Sequence, residues 1–323
     1  MSGGAPGPSA RWPPPEKLAL DWHAGATLLP LDPDPEAPVP FRLGAYDATG
    51  RFLEHARAWR STLASEILPP CPAEEECTGA WAYGGVLWDH YGHFLLEALA
   101  RAWALRALPG LPVLWHRRVG HARLTAWQSD ILDLIGLGGR EHRVVTRPVR
   151  VARLAVAQAG FVMWRYFHPR QAAVLAAHPF RVPERGRRLW LSRSGMPEGH
   201  ARVDGETALE QALAAEGWTV LRPETLDVAA QLAALQAAEA IAGFAGSAFH
   251  TLMLGAEVRA RIVIVPRGSA DYTNYEMIAA ARGFDQAILP ARLEHVSGEK
   301  SLASYRLTEP DRLHAALREA VGA

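Results

Sequence analysis

Hydrophobic and polar positions follow a repeated order along the chain from about residue 80 onward. Short apolar runs, typical of buried strands, alternate with longer segments whose apolar residues recur three and four positions apart, typical of amphipathic helices. In the first half this pattern predicts strands over 81–88, 111–117, 142–147 and 151–158, and helices over 90–107 and 124–139. Such alternation favours a parallel sheet that is covered by helices.

The same order begins again after the segment HPFRVPERGRR, in which two prolines and several arginines indicate a linker near 180–187. It predicts strands over 188–194, 218–224, 240–244 and 260–268, and helices over 206–217, 226–239, 247–255 and at the C terminus. The helix over 226–239 is expected to begin with Asp227 as its N-cap. The predicted fold class is therefore α/β, with two units in tandem.

The division into domains follows from these breaks in the pattern. Residues 1–40 are rich in Pro, Gly and Asp and show no sustained strand or helix period, so a flexible N-terminal segment is expected there. An N-terminal α/β domain is expected over 41–182 and a C-terminal one over 183–300, followed by a C-terminal helix over 301–323.

Composition and charge exclude several classes of protein. The chain has 34 basic and 34 acidic side chains, so no overall charge attracts it to nucleic acid. Two cysteines, Cys71 and Cys77, are too few for a disulfide framework or a four-thiolate zinc site and are expected as reduced thiols or one local bridge. The N terminus lacks the features of a signal peptide, and the apolar stretches are too short to span a bilayer. We therefore expect a soluble cytoplasmic protein, with peripheral membrane association left open.

The basic residues are almost all arginines, because Lys17 and Lys300 are the only lysines. Arginine is permanently charged and binds phosphate and carboxylate groups through two parallel hydrogen bonds. The base composition of the genome accounts for most of the excess of arginine over lysine. Arginines at strand ends or on a polar helix face of the predicted fold are nevertheless candidates for binding such groups.

The first such position is a polar stripe on the predicted helix after residue 88. His90, His93, Glu97 and Arg101 recur three, four and four positions apart and share one helix face. Burial of ionisable groups is costly unless each has a partner. Three interpretations stay open: Glu97 pairs with Arg101 for structural reasons, a histidine or Asp89 acts as a general base, or His90, His93 and Glu97 bind a metal.

The second position is the turn after the predicted strand at 240–244. Gly246-Ser247-Ala248 leads directly into a helix, whose first backbone N–H groups are suited to an anion. A tight turn that needs glycine is the structural alternative. Ser247 and His250 do not indicate a hydrolase nucleophile, because no Gly-x-Ser-x-Gly elbow is present.

The third position is the end of the strand at 188–194, where Ser192, Arg193 and Ser194 follow the apolar residues. Ligands of open α/β sheets bind beyond the carboxyl ends of the strands, so Arg193 is suited to a diphosphate, with Arg202 and Arg267 as companions. Glu224 follows another predicted strand and either accepts hydrogen bonds from a ribose or caps a helix. The alternative for Arg193 is an ordinary surface arginine.

Together these segments resemble the glycosyltransferase 61 family, which includes capsular-polysaccharide-type bacterial enzymes and eukaryotic xylosyl-, arabinosyl- and N-acetylglucosaminyltransferases. The resemblance covers roughly residues 80–290. It rests on the order of the matching residues, which are His93, Glu97 and Arg101, Ser192-Arg193-Ser194, Glu206, Pro223-Glu224, Gln231 and Gly246-Ser247-Ala248. Two positions depart from it, since Gly205 stands where the family usually has Asn and Ala245 where many members have His.

The resemblance implies a GT-B-like architecture of two Rossmann-like domains with parallel sheets that face a cleft. It also implies inverting transfer of a hexose or pentose from a nucleotide-sugar donor to a hydroxyl group of a glycan or another acceptor. The N-terminal domain would bind the acceptor and the C-terminal domain the donor. No resident cofactor is implied, and the need for a divalent metal is left open.

The resemblance also implies roles for individual residues. His93 is the favoured base, with Asp89 and His90 as alternatives and Glu97 as the group that orients it. Arg193, Ser247 and the backbone of Gly246 and Ala248 would contact the diphosphate. Further substrate contacts are expected from Ser192, Ser194, Glu224, His250, Arg101 and Arg267. The rival functions are a non-catalytic nucleotide- or carbohydrate-binding relative and a metal-dependent hydrolase that uses His90, His93 and Glu97.

Overall fold

A computed structural model of the chain describes residues 13–37, 39–117, 123–196, 201–267, 273–298 and 303–322. It divides into two compact units, Met1–Ala177 and His178–Ala323. None of the helices within the described ranges combines the length and apolar character that a membrane span requires. Cys71 is exposed and Cys77 is buried, and both are free thiols, so the local bridge is not formed.

The first unit contains a mixed seven-stranded sheet. Its strand order is β5-β2-β1-β9-β6-β7-β8, in which β1 is antiparallel to β2 and β9, whereas β6 is parallel to β9 and β7. The strands of this unit are β1 Leu20–Pro33, β2 Phe41–Tyr46, β3 Trp59–Arg60, β4 Leu63–Ala64, β5 Glu66–Ile67, β6 Glu75–Leu87, β7 Val113–Arg117, β8 His142–Val144, β9 Val149–Ala157, β10 Phe161–Val162 and β11 Tyr166–Phe167. The helices are α1 Tyr91–Leu96, α2 Ala102–Ala107, α3 Ala126–Leu134 and α4 Pro169–Leu175, with 3-10 turns at Glu54–Ala56 and Ala98–Arg101.

The flexible N-terminal segment predicted over residues 1–40 contains a long strand in its second half. Strand β1 begins at Leu20 and lies inside the sheet between β2 and β9. Its local pattern is weak, because Gly25 adopts a left-handed conformation with φ of +61° and Pro30 lacks a backbone donor. Pairing with β9 along eight registered positions holds this segment extended, so tertiary contacts override the local sequence.

The long helix predicted over 90–107 is interrupted. The Leu99 carbonyl accepts a hydrogen bond from Gln171 Nε2 at 2.7 Å, and the Ala100 carbonyl accepts one from the Gly160 amide at 2.7 Å. The Trp103 amide donates to Gln171 Oε1 at 3.0 Å. Because these groups bind partners outside the helix, the backbone forms a 3-10 turn between α1 and α2, and the four polar residues do not share one helical stripe.

The second unit contains an all-parallel five-stranded sheet with the order β14-β12-β15-β16-β17. The sequence predicted a parallel sheet and four of these strands, but not β17. Its strands are β12 Arg188–Leu191, β13 Val203–Asp204, β14 Thr219–Leu221, β15 Ala240–Phe244, β16 Arg261–Val265, β17 Gln286–Ile288, β18 Leu293–Ser297 and β19 Ser304–Leu307. Its helices are α5 Glu206–Ala215, α6 Val228–Gln236, α7 Thr273–Arg282 and α8 Pro310–Val321, with 3-10 segments at Pro223–Thr225 and Ser247–Leu254. The Asp227 side chain accepts a hydrogen bond from the Ala230 amide at 2.7 Å, which confirms the predicted N-cap of α6.

Both faces of this parallel sheet are buried, which fixes the register of its strands. Trp190, Phe244 and Val263 pack on one face against α5 and α8, while neighbouring residues such as Leu189 and Ile262 pack on the other. Burial of each such side chain contributes about 1.5–3 kcal/mol relative to its exposure. The strand ends are therefore held rigidly, and the residues that follow them have defined positions.

Candidate active site

Three adjacent strands of the second unit deliver their following residues to one edge of the sheet. Strands β12, β15 and β16 are neighbours and run parallel, so their carboxyl ends coincide. Arg193 follows β12, Gly246 follows β15 and Arg267 follows β16. This edge is where ligands of open α/β sheets bind.

The Arg193 guanidinium lies directly against Gly246. A Cβ atom placed on Gly246 would be 2.6 Å from Arg193 Nη1, so the approach requires glycine at this position. Arg193 Nη2 donates to the Ala201 carbonyl at 3.0 Å. Its Nε atom is buried and has no hydrogen-bond partner within the described residues, which leaves donor capacity for a ligand.

Arg267 places a second guanidinium beside the first. Its Nε donates to the Ala245 carbonyl at 2.8 Å. Burial, and then the positive charge of Arg193, lower the pKa of Arg267 to about 10, and burial lowers the pKa of Arg193 as well. Both groups stay charged at neutral pH, and a bound anion relieves the repulsion between these two partly buried like charges.

Tyr275, on a helix that the sequence pattern did not predict, completes this part of the edge. Its ring stacks on His250 with a centroid distance of 5.1 Å and an interplanar angle of 24°. Burial raises the pKa of Tyr275 to about 12, against the opposing charges of Arg267 and Arg193 and a backbone hydrogen bond from Gly246. The phenol is therefore a neutral hydroxyl group beside the two arginines.

Ser247 and Ala248 begin a helical segment at the same edge, but that segment is a 3-10 helix rather than an α-helix. Gly246 is its N-cap residue and is fully extended. The backbone N–H groups of a first turn have no intrahelical carbonyl partner. Small side chains at these positions leave the two amides open to an anionic group.

Ser192 and Ser194 are held by a residue that the sequence analysis missed. Ser192 Oγ donates to Glu210 Oε1 at 2.5 Å, and Ser194 Oγ donates to Glu210 Oε2 at 3.1 Å. Arg222 Nη2 donates to the same Oε2 at 3.2 Å. In this geometry the two hydroxyl groups anchor the end of β12 on both sides of Arg193. The signal for Glu210 was its position four residues after Glu206, on the same face of α5.

Glu206 holds the backbone of Arg193 in place through a hydrogen bond. The residue is 1% exposed, and Oε1 accepts hydrogen bonds from the Arg193 amide at 3.0 Å and from Trp190 Nε1 at 3.1 Å. Burial, with a further contribution from the charge of Glu210, raises the pKa of Glu206 to about 7 against the hydrogen bonds that lower it. Gly205 caps α5 at φ +93°, a left-handed conformation that glycine adopts freely and that Asn tolerates better than most other residues.

Glu224 and Arg202 take different places around this cluster. Glu224 is exposed, its negative charge acts on Arg193, and its Oε1 atom would lie 2.6 Å from a Cβ on Gly195. Arg202 donates from Nε to the Met196 carbonyl at 2.9 Å. Gln231 donates to the carbonyls of Pro223 and Leu226 and thereby holds the turn that carries Glu224.

The first unit contains a second cluster, built on His93 and Glu97. His93 Nδ1 forms a short hydrogen bond with Glu97 Oε2. Glu97 does not pair with Arg101, as one interpretation of the stripe expected. It pairs with Arg60, which donates from Nε to Oε1 at 3.1 Å and from Nη2 to Oε2 at 3.3 Å. Burial raises the pKa of Glu97, but the His93 hydrogen bond and the Arg60 charge outweigh it, so the net pKa lies below its ordinary value.

The aromatic ring of Trp88 lies beside this cluster. Its centroid is 5.2 Å from that of the His93 ring, and the Arg60 guanidinium lies 5.1 Å from it. The His90 ring lies 5.0 Å from that of His93. Asp89, the other candidate base, is exposed and forms a short ion pair with the buried Arg117. An imidazole that is oriented by an ionised carboxylate is the stronger candidate for a general base.

Arg101 is turned away from His93 and Glu97. It is 4% exposed, and it donates to the backbone carbonyls of Ala157 at 2.9 Å, His55 at 2.6 Å and Arg57 at 3.4 Å. Its guanidinium lies 5.1 Å from the centroid of the Tyr83 ring. The charge of Arg101 is therefore used to join three backbone segments of the first unit.

The geometry does not support a metal centre on His90, His93 and Glu97. Within the described ranges no three His, Cys, Asp or Glu side chains come together in a way that could hold a metal ion.

Comparison with known families identifies the chain. The model of the family described as Glycosyltransferase 61 matches residues 91–264, which is more than half of the 323 residues. The match includes His93, Glu97, Arg193 and Gly246 and ends just before Arg267. No curated protein matches the chain in a sequence search. The chain therefore belongs to the glycosyltransferase 61 family, and this membership supports a glycosyltransferase activity.

Proposed function

We propose that this protein is an inverting glycosyltransferase that moves a sugar from a nucleotide-sugar donor to a hydroxyl group of a glycan or another acceptor. One observation carries the proposal: two partly buried arginines, Arg193 and Arg267, both lie at the Gly246 turn, close enough for the charge of one to lower the pKa of the other. A nucleoside diphosphate supplies the charge that such a pair attracts, and the amides of Ser247 and Ala248 add neutral donors.

In the proposed reaction His93 removes the proton of the acceptor hydroxyl. The acceptor oxygen forms a bond to C1 of the donor sugar, the bond from C1 to the diphosphate oxygen breaks, and the diphosphate leaves with that electron pair. The ionised Glu97 favours the His93 tautomer with its proton on Nδ1, so that Nε2 is the basic atom. Arg193 and Arg267 stabilise the charge that develops on the departing diphosphate.

The donor assignment is tested by the melting temperature of the full chain in the presence of a panel of nucleoside diphosphates and nucleotide sugars. At least one nucleoside diphosphate should raise it, and Arg193→Gln and Arg267→Gln should each abolish the rise. Arg259→Gln is the matched control, because Arg259 is an exposed arginine that pairs with Glu257 elsewhere in the same unit. A wild-type protein that no nucleotide stabilises would contradict the proposal.

The catalytic assignment separates a transferase from a non-catalytic nucleotide-binding relative. With the nucleotide that binds, the wild-type protein should release the nucleoside diphosphate from its sugar donor, and His93→Gln should lose this turnover while it keeps nucleotide binding. Inversion is tested by the anomeric configuration of the product in NMR spectra. Binding without turnover across acceptor classes would favour the non-catalytic relative.

The finer expectations belong to the same proposal. These are the GT-B-like arrangement, the acceptor and donor roles of the two domains, the choice between hexose and pentose, a cytoplasmic location and peripheral association with membranes. Among them the domain roles are supported by the positions of the charged residues. Arg193 and Arg267, which suit an anionic donor, lie in the second unit, and the His93–Glu97 pair, proposed to act on the acceptor, lies in the first.

A further inference from the structure

A cavity of about 440 Å³ lies in the first unit. None of the residues that were given a catalytic or donor-binding role above lines it. Its volume falls within the range of small-molecule sites. The lining is contributed by the Glu54–Ala56 turn, strand β3, strand β11 and the prolines at 13–15. We propose that this cavity binds an acidic sugar of the acceptor, one that carries a carboxylate, as in a uronic acid. The role as acceptor site rests on the proposed function.

The first step of the argument is the aromatic ring that the cavity contains. Trp59 is half-buried and lines the cavity. The C–H face of a pyranose packs on an indole ring, while its hydroxyl groups need polar partners around the rim. Gln158, His55 and Tyr166 line the same cavity. Tyr166 donates to the Ala159 carbonyl, Gln158 Oε1 accepts from the Ala19 amide and His55 pairs with Asp21, so each keeps only its remaining hydrogen-bonding capacity for a ligand.

The second step is the charge of the cavity. Two arginines line it, and each guanidinium lies 6.0 Å from the centroid of the Trp59 ring. Arg57 is already neutralised, because it donates to both oxygens of Glu54 at 3.0 Å. Arg165 is exposed and forms no ion pair within the described part of the chain. One guanidinium without a counter-charge matches a single carboxylate better than it matches a doubly charged phosphate ester.

The third step is the rigidity of the cavity wall. The buried Arg101 binds the carbonyls of His55 and Arg57, and its Nε binds the carbonyl of Ala157, the residue before Gln158. Arg101 thus holds two backbone segments that line the cavity, one at His55 and Arg57 and one next to Gln158, which makes it a positioning residue for this cavity. A preformed site loses less entropy when a ligand binds.

Two consecutive residues of β3, Trp59 and Arg60, link the cavity to the candidate base. Trp59 lines the cavity, whereas Arg60, the next residue of the same short strand, holds Glu97 and contacts Trp88. Because successive side chains of a strand point to opposite faces, the cavity lies on the other side of β3 from His93. It is therefore suited to a sugar unit of the acceptor that is remote from the reacting hydroxyl.

The test uses the full chain without nucleotide and measures binding by isothermal titration calorimetry. The probes are disaccharides that end in glucuronate, galacturonate or mannuronate, each compared with its neutral counterpart. At least one acidic probe should bind about fivefold more tightly than its counterpart. Arg165→Gln should remove this preference, and Trp59→Leu should weaken both members of the pair.

The matched control is Arg170→Gln, because Arg170 is an exposed arginine of the same unit that stacks on Trp103, 4.6 Å from its centroid, and does not line the cavity. This variant should keep the preference. Equal affinity for every acidic and neutral pair, or a preference that survives Arg165→Gln, would overturn the proposal. Nucleotide-induced melting shifts of the same variants test the transferase proposal separately. Acidic-sugar binding in a protein that binds no nucleotide would overturn the transferase proposal and support the cavity as an acidic-sugar site.

Discussion

Arg60 binds Glu97 through two parallel hydrogen bonds, from Nε to Oε1 at 3.1 Å and from Nη2 to Oε2 at 3.3 Å, although the two residues lie 37 positions apart. The same carboxylate forms the short hydrogen bond to His93. Glu97 therefore has one oxygen fixed by Arg60 alone and one shared with the imidazole. This arrangement keeps the carboxylate ionised, because its pKa lies below the ordinary value, and it determines which nitrogen of His93 is basic.

Replacement of Glu97 by Gln should impair the chemical step more than substrate binding. The glutamine keeps the size of the side chain but lacks the charge that stabilises a protonated imidazole, so we expect kcat to fall by about 10²–10⁴-fold with a small change in KM. The measurement is the steady-state rate of donor turnover across the pH range. Glu257→Gln, which removes one partner of an exposed ion pair, serves as control and should keep the wild-type rate. A Glu97→Gln protein with the wild-type kcat and pH profile would contradict the role of this pair.

Pairs such as Arg60–Glu97 could not be predicted from the sequence, because the two partners are far apart in the chain. The sequence analysis proposed His93, Glu97 and Arg193 because helix spacing and strand ends are local signals. Arg60 could not be found, since nothing near it in the chain indicates an acid 37 positions away. Tyr275 was missed because the pattern did not predict its helix, and β1 because its place in the sheet depends on β9, more than 100 residues later. Four strands of the parallel sheet in the second unit were predicted because they are short apolar runs, whereas the edge strand β17 was not predicted.

The Gly246 position should be sensitive to a single methyl group. An alanine Cβ would lie 2.6 Å from Arg193 Nη1, so Gly246→Ala must displace the guanidinium. The backbone there is extended with φ of −171°, which alanine adopts without strain, so the fold should be retained. We expect nucleotide affinity to fall about tenfold, as when a charged hydrogen bond is lost, with the melting temperature of the nucleotide-free protein nearly unchanged. Wild-type affinity in Gly246→Ala would show that the Arg193 guanidinium does not contact the nucleotide.

Glu210 should matter for stability as well as for binding. Glu210→Ala leaves the hydroxyl groups of Ser192 and Ser194 without their acceptor and removes the partner of Arg222, so the free energy of unfolding should fall by about 2–3 kcal/mol. Nucleotide binding should weaken too, because the end of β12 that carries Arg193 loses its anchor. Arg222→Gln is the control, since Arg222 is exposed and its ion pair should contribute less than about 1 kcal/mol. Urea denaturation measures both variants, and equal losses in the two would argue against Glu210 as the anchor.

Glu206 makes the stability of the protein depend on pH in a direction opposite to that of most carboxylates. Its pKa in the folded protein is about 7, above the ordinary 4.5, so the folded state keeps a proton that the unfolded chain has lost between these values. The stabilisation is complete below about pH 4.5 and is lost as the pH rises through 7.

The free energy of unfolding of Glu206→Gln, relative to that of the wild type, should therefore increase as the pH rises. The amide oxygen still accepts from the Arg193 amide and Trp190 Nε1, but the variant has no proton to lose. Between pH 5 and pH 8 the difference in unfolding free energy between variant and wild type should shift in favour of the variant by about 2–3 kcal/mol. Urea denaturation at both pH values measures it, with Glu257→Gln as an exposed control that should show no such shift. A difference that is the same at pH 5 and pH 8 would mean that Glu206 ionises near its ordinary pKa, and the carboxylate beneath Arg193 would then carry a full charge at neutral pH.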